Sequence, residues 1–248
     1  MKTKILFFYL FFVITFCSFS QSNSGVIIYG QKITASDNNK DKAKINSKYQ
    51  KMYTAQLNAI RESSKSITYT LRFNEDECSF KVDKNLDLDG DEGNFEDAAL
   101  HVDGDGERYF SSKTNIGFWA HNAFDKDVVL IDSINSASWV ITKEVKKFGE
   151  YEVIKATQEQ LLSNGKKNQI IAWFAPSISN SFGPIGYYGL PGAILELHGI
   201  DFVIFAKEIK LSSKDFKINK NLKGEYLNKA EYEKFSKEAV ANSIFKPN

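Results

Sequence analysis

Cysteine, proline and net charge are all scarce in this sequence, and each shortage excludes a class of protein. The 248 residues include two cysteines and four prolines, and 32 basic residues balance 31 acidic ones. Two cysteines cannot build the disulfide framework that holds many small secreted domains together. An even charge balance gives no electrostatic reason to expect nucleic acid as a partner. The fold must therefore rest on a packed core, and we predict no nucleic-acid partner.

Long apolar runs are also scarce, and the only one in the sequence lies at the N-terminus. Two lysines precede the apolar residues 5–14, and small serines stand just before Gln21. This order is typical of a secretory signal peptide, and its core is too short to span a bilayer. We predict that residues 1–20 are removed and that residues 21–248 are exported as a single domain without a transmembrane segment. The predicted location is the periplasm, the outer membrane or the cell exterior.

The two cysteines lie on opposite sides of the predicted cleavage point. Cys17 raises the alternative of a lipoprotein, but lipoprotein signals carry a small residue before the cysteine, and Phe16 is large. Cys78 is then the only cysteine of the exported chain, which excludes an internal disulfide. We interpret Cys78 as a partly buried small hydrophobic residue of a strand, not as a reactive thiol.

Apolar and polar residues alternate through much of the chain, which predicts β-strands. Four apolar side chains between residues 67 and 73 alternate with threonine and arginine, the pattern of a strand with one buried face. Short strand-like segments follow one another without helices between them, which favours antiparallel pairing. The predicted strands are 25–30, 67–73, 80–82, 107–112, 115–121, 128–132, 137–144, 151–161, 167–175, 193–198 and 202–210, with a tight Asn-Gly hairpin at 163–166.

Two segments have apolar residues at intervals of three and four, which predicts helices. The early helix, from residue 45, has an apolar face made of Ile45, Tyr49, Met52, Tyr53, Leu57 and Ile60. The C-terminal helix, near residues 228–242, is expected to bury Tyr232, Phe235, Ala239 and Val240. We therefore predict a mainly β protein in which one strongly curved antiparallel sheet, a half-barrel or bowl, packs against both helices.

Residues 85–106 are rich in aspartate and glycine and resemble a calcium-binding loop at first sight. The helix–loop–helix calcium site needs glycine at its sixth position and glutamate at its twelfth. Counting from Asp87 or from Asp89 satisfies neither requirement. We interpret residues 85–106 as a solvated acidic loop and predict no metal site.

No catalytic pattern stands out in the sequence. The histidines His101, His121 and His198 are too far apart for a zinc motif, and a Gly-x-Ser-x-Gly nucleophile elbow is absent. A triad or a pair of carboxylates need not be close in sequence, so neither is excluded. We assign no catalytic residue and no cofactor.

One segment, from residue 172 to residue 197, combines three of the four prolines with glycine and aromatic residues. Glycine and proline fix tight paths, which favours a structural closure between two apolar strands, with Leu190 buried and at least one glycine at positive φ. The closure residues are Gly183, Pro184, Gly189, Leu190, Pro191 and Gly192. The alternative is a ligand-binding loop. Its candidate contacts are Tyr187, Tyr188, Trp139 and Trp173.

The same segment resembles the GLPGLI family, which is named for its motif. The motif here is Gly189-Leu190-Pro191-Gly192-Ala193-Ile194, with Ala193 where the family usually has leucine. Further matching segments are Leu71-Arg72-Phe73-Asn74, Trp139-Val140-Ile141, Gly149-Glu150-Tyr151, Lys155-Ala156 and Ala172-Trp173-Phe174. Where many members have a cysteine before Lys-Ala, this chain has Ile154. The resemblance implies an exported, mainly β protein of a Gram-negative group, without an established activity. It also implies similarity to bowl-shaped domains thought to precede a glycan-removing amidase domain in some enzymes.

The sequence leaves three functions open. Export, abundant aromatic residues and the missing catalytic pattern favour a non-enzymatic accessory protein that binds a small molecule, peptide, lipid, glycan or other envelope component in the concave sheet. The first alternative is a hydrolase with a carboxylate or histidine site assembled from several strands. The second is a purely structural envelope component. Convergence of two carboxylates, or of a histidine and a nucleophile, in one pocket distinguishes the hydrolase.

Overall fold

The computed structural model describes most of the chain beyond the predicted signal peptide. The described residues are 24–35, 47–83, 92–133, 138–162, 165–214, 217–220 and 222–244. The predicted signal peptide, residues 1–20, lies outside them. Within the described residues, no helix is both long and apolar enough to cross a membrane.

Strands dominate the described chain, and three helices accompany them. The strands are β1 (Ser24–Ile33), β2 (Thr68–Phe73), β3 (Glu77–Asp83), β4 (Glu107–Ser111), β5 (Ile116–Ala123), β6 (Lys126–Ser133), β7 (Val140–Phe148), β8 (Tyr151–Leu161), β9 (Lys167–Ala175), β10 (Ala193–His198), β11 (Phe202–Ser212) and β12 (Glu225–Asn228). The helices are α1 (Ser47–Ser64), α2 (Glu92–Leu100) and α3 (Lys229–Ile244). A 3-10 turn lies at Pro184–Gly186. The predicted mainly β class is confirmed.

The described strands form one sheet in the order β12-β6-β5-β4-β3-β2-β1-β11-β10-β9-β8-β7. Strand β1 pairs with β2 on one side and with β11 on the other, so the first strand lies in the middle of the sheet. One arm is the meander β2 to β6, and the other is the meander β7 to β11. Each of these pairs is antiparallel, as predicted, whereas β12 joins β6 in parallel. The sheet stays open, with β12 and β7 at its edges.

The hairpin between β8 and β9 follows the prediction from Asn-Gly. Gly165 has a φ of +77°, which glycine adopts without a steric penalty. The Leu162 amide donates to the Lys166 carbonyl oxygen at 2.8 Å and closes the turn. Residues 163 and 164 lie outside the described residues.

The two arms approach each other across the concave side of the sheet. Phe110 on β4 and Tyr188, in the connection between β9 and β10, have ring centroids 5.0 Å apart. Four strands separate β4 from β10 in the sheet order, so a flat sheet would hold these rings far apart. The contact therefore requires a strongly curved sheet, in agreement with the predicted half-barrel or bowl.

Alternation separates a buried inner face of the sheet from a polar outer face. On the inner face, Tyr29 and Tyr69 are opposite each other on β1 and β2, and both are fully buried. The Phe80 ring on β3 stacks on Tyr69 at 5.2 Å. The intervening side chains, including Arg72 and Lys81, face outward. Aromatic residues thus form the centre of the core on the inner face.

Helices α1 and α2 cover one part of this inner face. Leu57 and Ile60 of α1 join the core with Ala98 of α2. The Gln31 side chain of β1 donates to the Ala98 carbonyl oxygen at 2.9 Å. Only the second half of α1 is buried, since the exposed fractions of Tyr49, Met52 and Tyr53 are 64%, 60% and 50%. The predicted continuous buried face of the early helix is therefore wrong for its first half, and Ile45 lies outside the described residues.

The interpretation of residues 85–106 as a solvated loop is wrong for the part that the structure describes. Residues 92–100 form α2, which buries Phe95, Ala98 and Ala99. Val102 follows and is fully buried. These four apolar residues have helical spacing, which the surrounding aspartates and glycines obscured in the sequence. Asp87 and Asp89 lie outside the described residues.

Helix α3 packs at the far edge of the sheet, against β6 and β12. Tyr232 and Phe235 lie against a small cluster of Ala123, Val128 and Leu227. This confirms the predicted C-terminal helix and two of its apolar contacts. Ala239 is half-buried, whereas Val240 is 45% exposed, so the predicted burial of Val240 is wrong.

Candidate functional site

The connection between β9 and β10, residues 176–192, is a packed part of the core, and we call it the crossover. Ile178, Phe182 and Leu190 anchor it, and each is at most 2% exposed. Leu190 contacts the buried cluster formed by Phe174, Ile194 and neighbouring residues of β8 to β10. The predicted burial of Leu190 is confirmed, which supports the structural closure.

Backbone geometry explains why the crossover needs glycine. Gly189 has a φ of +93°, and Gly192 has a φ of +157°. At Gly192 there is also no room for a side chain, because a Cβ would stand 2.3 Å from the Ala175 carbonyl oxygen. Ile185 adopts a φ of 47°, which is strained for a β-branched residue. The surrounding core must hold Ile185 in this conformation.

Hydrogen bonds hold the crossover and the start of the following strand in place. The Trp139 indole N–H donates to the Tyr188 carbonyl oxygen at 2.9 Å. Just after the crossover, on β10, the Ile194 carbonyl oxygen accepts a hydrogen bond from the Tyr29 hydroxyl of β1 at 2.7 Å. The crossover is therefore fixed in position and forms a rigid wall.

A cavity of about 730 Å³ lies beside the crossover and is open to solvent. Side chains from β3 to β6 form one wall, and Gln158, Gln160 and Ile170 from β8 and β9 form another. Tyr187 and Tyr188 of the crossover also line the cavity. The curvature of the sheet thus brings both arms to one site, and the crossover and helices leave this part of the inner face unfilled.

The structure separates the four aromatic residues predicted as ligand contacts. Tyr187 and Tyr188 line the cavity. Trp139 lies behind them, with its ring 6.0 Å from the Tyr187 ring. Trp173 is on the outer face, where the Lys146 ammonium group lies 4.3 Å from its ring. Lys146 also pairs with Glu196 at 2.9 Å. Trp173 therefore does not face the cavity, and Trp139 supports the cavity wall.

Arg108 and Trp119 form the polar wall that sequence reasoning missed. They are cross-strand neighbours on β4 and β5, and the guanidinium carbon lies 4.3 Å from the Trp119 ring centre. The carbonyl oxygen of Asp105 accepts from the Trp119 indole at 3.0 Å and from Arg108 at 3.4 Å. Arg108 was not predicted as a site residue, because the sequence shows a charged residue within a strand but does not show that its side chain faces the inner side of the sheet.

Two aspartates lie near Arg108 without pairing with it. Burial lowers the pKa of Arg108 to about 10, and the charges of Asp105 and Asp103 offset only part of this effect. Burial likewise raises the pKa of the Asp103 carboxyl group, although Arg108 opposes the shift. Asp103 lines the cavity together with Arg108. The site therefore contains a half-buried cation and a carboxyl group that takes up a proton more readily than usual.

The three histidines lie in separate places and have different partners. His101 lies on the cavity wall and is 3.0 Å from the Asp201 carboxylate. His121 stacks on Trp119 and lies 2.9 Å from the Tyr232 hydroxyl of α3. His198 pairs with Glu196 on the outer face. Among the described residues, no group of histidine, cysteine and carboxylate side chains is arranged to hold a metal ion.

Cys78 also lines the cavity, but its thiol is a poor nucleophile. It is 7% exposed, and burial raises its pKa far above the ordinary value. A protonated thiol does not attack a carbonyl group at neutral pH. The interpretation of Cys78 as a small hydrophobic residue is confirmed in its burial.

We expect replacement of His121 and of His101 to alter the pH dependence of stability in opposite directions. Burial lowers the pKa of His121 below its ordinary 6.5, so its stabilising contribution is present above that pH and is lost as the pH falls. The hydrogen bond to Asp201 raises the pKa of His101, so its contribution is present below 6.5 and is lost as the pH rises through the folded-state value.

Urea unfolding at several pH values measures both effects. His121→Gln should flatten the decline of unfolding free energy on the acidic side, and His101→Gln should flatten the decline on the neutral-to-alkaline side. The charged groups nearest His121 are Asp105 and Arg108, and both variants retain them. If either substitution shifts the unfolding free energy equally at all pH values, without changing its slope against pH, the effect predicted for that histidine is wrong.

Comparison with protein families gives a match that falls on the crossover region. A family model described as "Protein of unknown function (Porph_ging)" matches residues 158–196. This range contains the end of β8, all of β9, the crossover and the first part of β10. No curated protein matches the chain.

Five chains of known structure match the fold. Two of them are PNGF-II in a C2 and in a P21 space group, each with 14% identity and a TM-score of 0.50. The matches cover 87% and 88% of this chain but only 33% and 34% of the PNGF-II chain. This chain thus spans about a third of the length of PNGF-II, and identity this low shows a common fold alone. The chain is therefore similar in fold to one part of PNGF-II, and between residues 158 and 196 it matches a family of unknown function.

Proposed function

We propose that this chain is an exported, non-enzymatic binding protein of the GLPGLI type that holds its ligand in the cavity of the inner face. The observation that carries the proposal is the cavity itself, of about 730 Å³ and bounded by both arms of the sheet. Ligand pockets in proteins usually measure about 300–1,000 Å³. A purely structural envelope component has no need of such a cavity.

The chemistry of the walls narrows the ligand class. Phe110, Tyr187 and Tyr188 offer ring surfaces, while Arg108 and Gln158 offer hydrogen-bonding groups. A lipid tail would leave these polar groups without partners, which is unfavourable. A ligand with both apolar and polar parts matches the walls better, so we favour a peptide or a glycan over a lipid.

The proposed location and family rest on different parts of the chain. The order of residues 1–20 supports export to the periplasm, the outer membrane or the cell exterior. The motif at residues 189–194 lies inside the matched range 158–196, which supports the GLPGLI assignment. The strained Ile185 lies on the cavity wall, as residues with unfavourable backbone geometry often do at binding sites.

We expect Gln160→Trp to reduce the amount of ligand that co-purifies with the protein. Gln160 lies on the cavity wall, so a tryptophan there would occupy ligand space. The matched control is Gln169→Trp, at an exposed position of β9 that is opposite Glu159 and faces outward. Untargeted mass spectrometry of protein purified from its native envelope would compare the compounds retained by the wild type and both variants.

The expected result is a compound that is retained by the wild type and by Gln169→Trp and is depleted in Gln160→Trp. Equal retention by all three proteins would place the ligand outside the cavity. If no compound is retained even by the wild type, the structural alternative gains support. Thermal melts of the variants guard against a loss of folded protein.

A hydrolase remains the second candidate because of Asp103. Its raised pKa favours the protonated carboxyl group that a general acid needs, and it shares the cavity with the His101–Asp201 pair. Neither Cys78 nor another described cavity residue provides an activated nucleophile. Conversion of the retained compound into shortened products, with loss of this conversion in Asp103→Asn, would support the hydrolase over the binding protein.

A further inference from the structure

The strongest unexplained feature of the cavity is the guanidinium group of Arg108. It has five N–H donors, and its one hydrogen bond to a described residue is the long contact of 3.4 Å with the Asp105 carbonyl oxygen. Among the described residues, no carboxylate forms an ion pair with it. Arg108 is half-buried, so its remaining donors face water or a ligand in the cavity.

The existing negative charges do not compensate Arg108 fully. Loss of hydration lowers its pKa to about 10 despite the nearby carboxylates of Asp105 and Asp103. An anionic group in contact with the guanidinium would offset the remaining cost of burial. The planar fork of arginine matches a carboxylate well, because two parallel N–H donors can face its two oxygens.

The remaining walls indicate what the carboxylate is attached to. Phe110 and Tyr188, whose rings lie 5.0 Å apart, form an apolar surface next to the β4 wall. Across the cavity, Gln158 and Gln160 project from β8. The Gln158 side-chain oxygen is buried and accepts no hydrogen bond from a described residue. Amide side chains can both donate and accept, as the backbone of a peptide requires.

We propose that the cavity binds the C-terminal end of a peptide, with the terminal carboxylate on Arg108. The last side chain of the peptide lies against Phe110, Tyr187 and Tyr188, and its backbone amides face Gln158 and Gln160. This assignment rests on the proposed binding function and specifies the ligand class. The Trp119 ring lies against the guanidinium group of Arg108 and holds this group at the cavity wall.

The test compares two pools of random pentapeptides that differ only in a free or an amidated C-terminus. Each pool is mixed with the purified protein, and mass spectrometry identifies the peptides retained after gel filtration. The wild type should retain free-acid peptides about tenfold more strongly than their amides, since a charge-assisted hydrogen-bonded pair is lost in the amide. Peptides with an apolar last residue should be enriched.

Arg108→Gln should abolish the preference for the free acid, and Arg108→Lys should retain part of it through its charge. The matched control is Arg72→Gln, which removes an exposed arginine from the outer face of β2 and should leave the preference intact. Thermal melts establish that each variant is folded. If Arg108→Gln does not fold, the preference for the free acid is compared between Arg108→Lys and Arg72→Gln. A weaker preference in Arg108→Lys than in Arg72→Gln supports the proposal, and an equal preference contradicts it.

Each of the other outcomes contradicts the proposal that Arg108 binds the C-terminal carboxylate of a peptide. If both pools bind equally and Gln160→Trp removes both, the cavity binds ligands but Arg108 does not recognise a carboxylate. If neither pool binds while another compound co-purifies, the proposed function stands and the peptide class is wrong. If neither pool binds and no compound co-purifies, both proposals fail.

Discussion

Gly192→Ala should destabilise the protein by at least about 3 kcal/mol, because the added methyl group has no room. Its Cβ would stand 2.3 Å from the carbonyl oxygen of Ala175 and 2.8 Å from Cα of Pro176. Both are backbone atoms, and Ala175 is fully buried at the end of β9. Relief would require β9 and β10 to separate where Ala175 pairs with Ala193. Urea unfolding monitored by tryptophan fluorescence measures the loss.

Gly189→Ala is the matched control, since it changes the same motif without a clash. Gly189 has a φ of +93°, but a Cβ there would meet nothing within 4 Å. Only the backbone strain remains, which costs about 1–2 kcal/mol for a residue other than glycine. Equal losses for the two variants would show that the close approach at Gly192 contributes nothing. A larger loss for Gly189→Ala would contradict the geometry of the crossover.

Leu190→Ala should lower the unfolding free energy by about 2–5 kcal/mol, the usual range for a buried leucine. Leu190 is 1% exposed and lies against Phe174, Ile194 and Leu197. Its removal leaves a cavity between the crossover and β8 to β10, which the rigid strands cannot fill. Ligand binding should fall only in proportion to the unfolded fraction, because Leu190 supports the wall and does not line the cavity.

Leu161→Ala provides the comparison for Leu190→Ala. Leu161 ends β8 and is 72% exposed, so the same substitution should change stability by no more than about 0.5 kcal/mol. Thermal and urea unfolding of both variants would be measured together with retention of the co-purifying compound. Loss of ligand from folded Leu190→Ala protein, at temperatures well below its midpoint, would indicate that the motif contacts the ligand directly.

Strands were predicted well where alternation and turn residues agreed. β8, β9 and β10 have the predicted bounds, because a glycine or a proline stands close to each of their ends. The strand expected at 137–144 begins later, at Val140, and extends to Phe148. β7 is an exposed edge with a register shift between Ile141 and Val145, so few of its side chains need to be apolar. β12 was missed for a related reason, since it is a short edge strand with one buried side chain, Leu227.

The candidate site was harder to predict, because it depends on contacts between distant strands. Tyr187 and Tyr188 stood out locally and do line the cavity. Arg108 and Gln158 belong to opposite arms, and only the curvature of the sheet brings them to one cavity. Trp173 was predicted as a ligand contact but lies on the outer face of the sheet. Alternation alone does not show which face of a strand lies on the concave side of the sheet. Strand order decides these contacts, and no local pattern encodes strand order.

The central position of β1 has a consequence for how the chain folds. Ser24 at its start bonds to the carbonyl oxygen of Ser212, which is 188 residues away along the chain. The β2–β6 meander can form early from neighbouring segments, but β1 keeps one open edge until β11 is available. Long-range pairing of this kind slows folding and prolongs the exposure of a strand edge that can pair with other molecules. Removal of residues after β10 should therefore convert a slowly folding protein into an aggregating one.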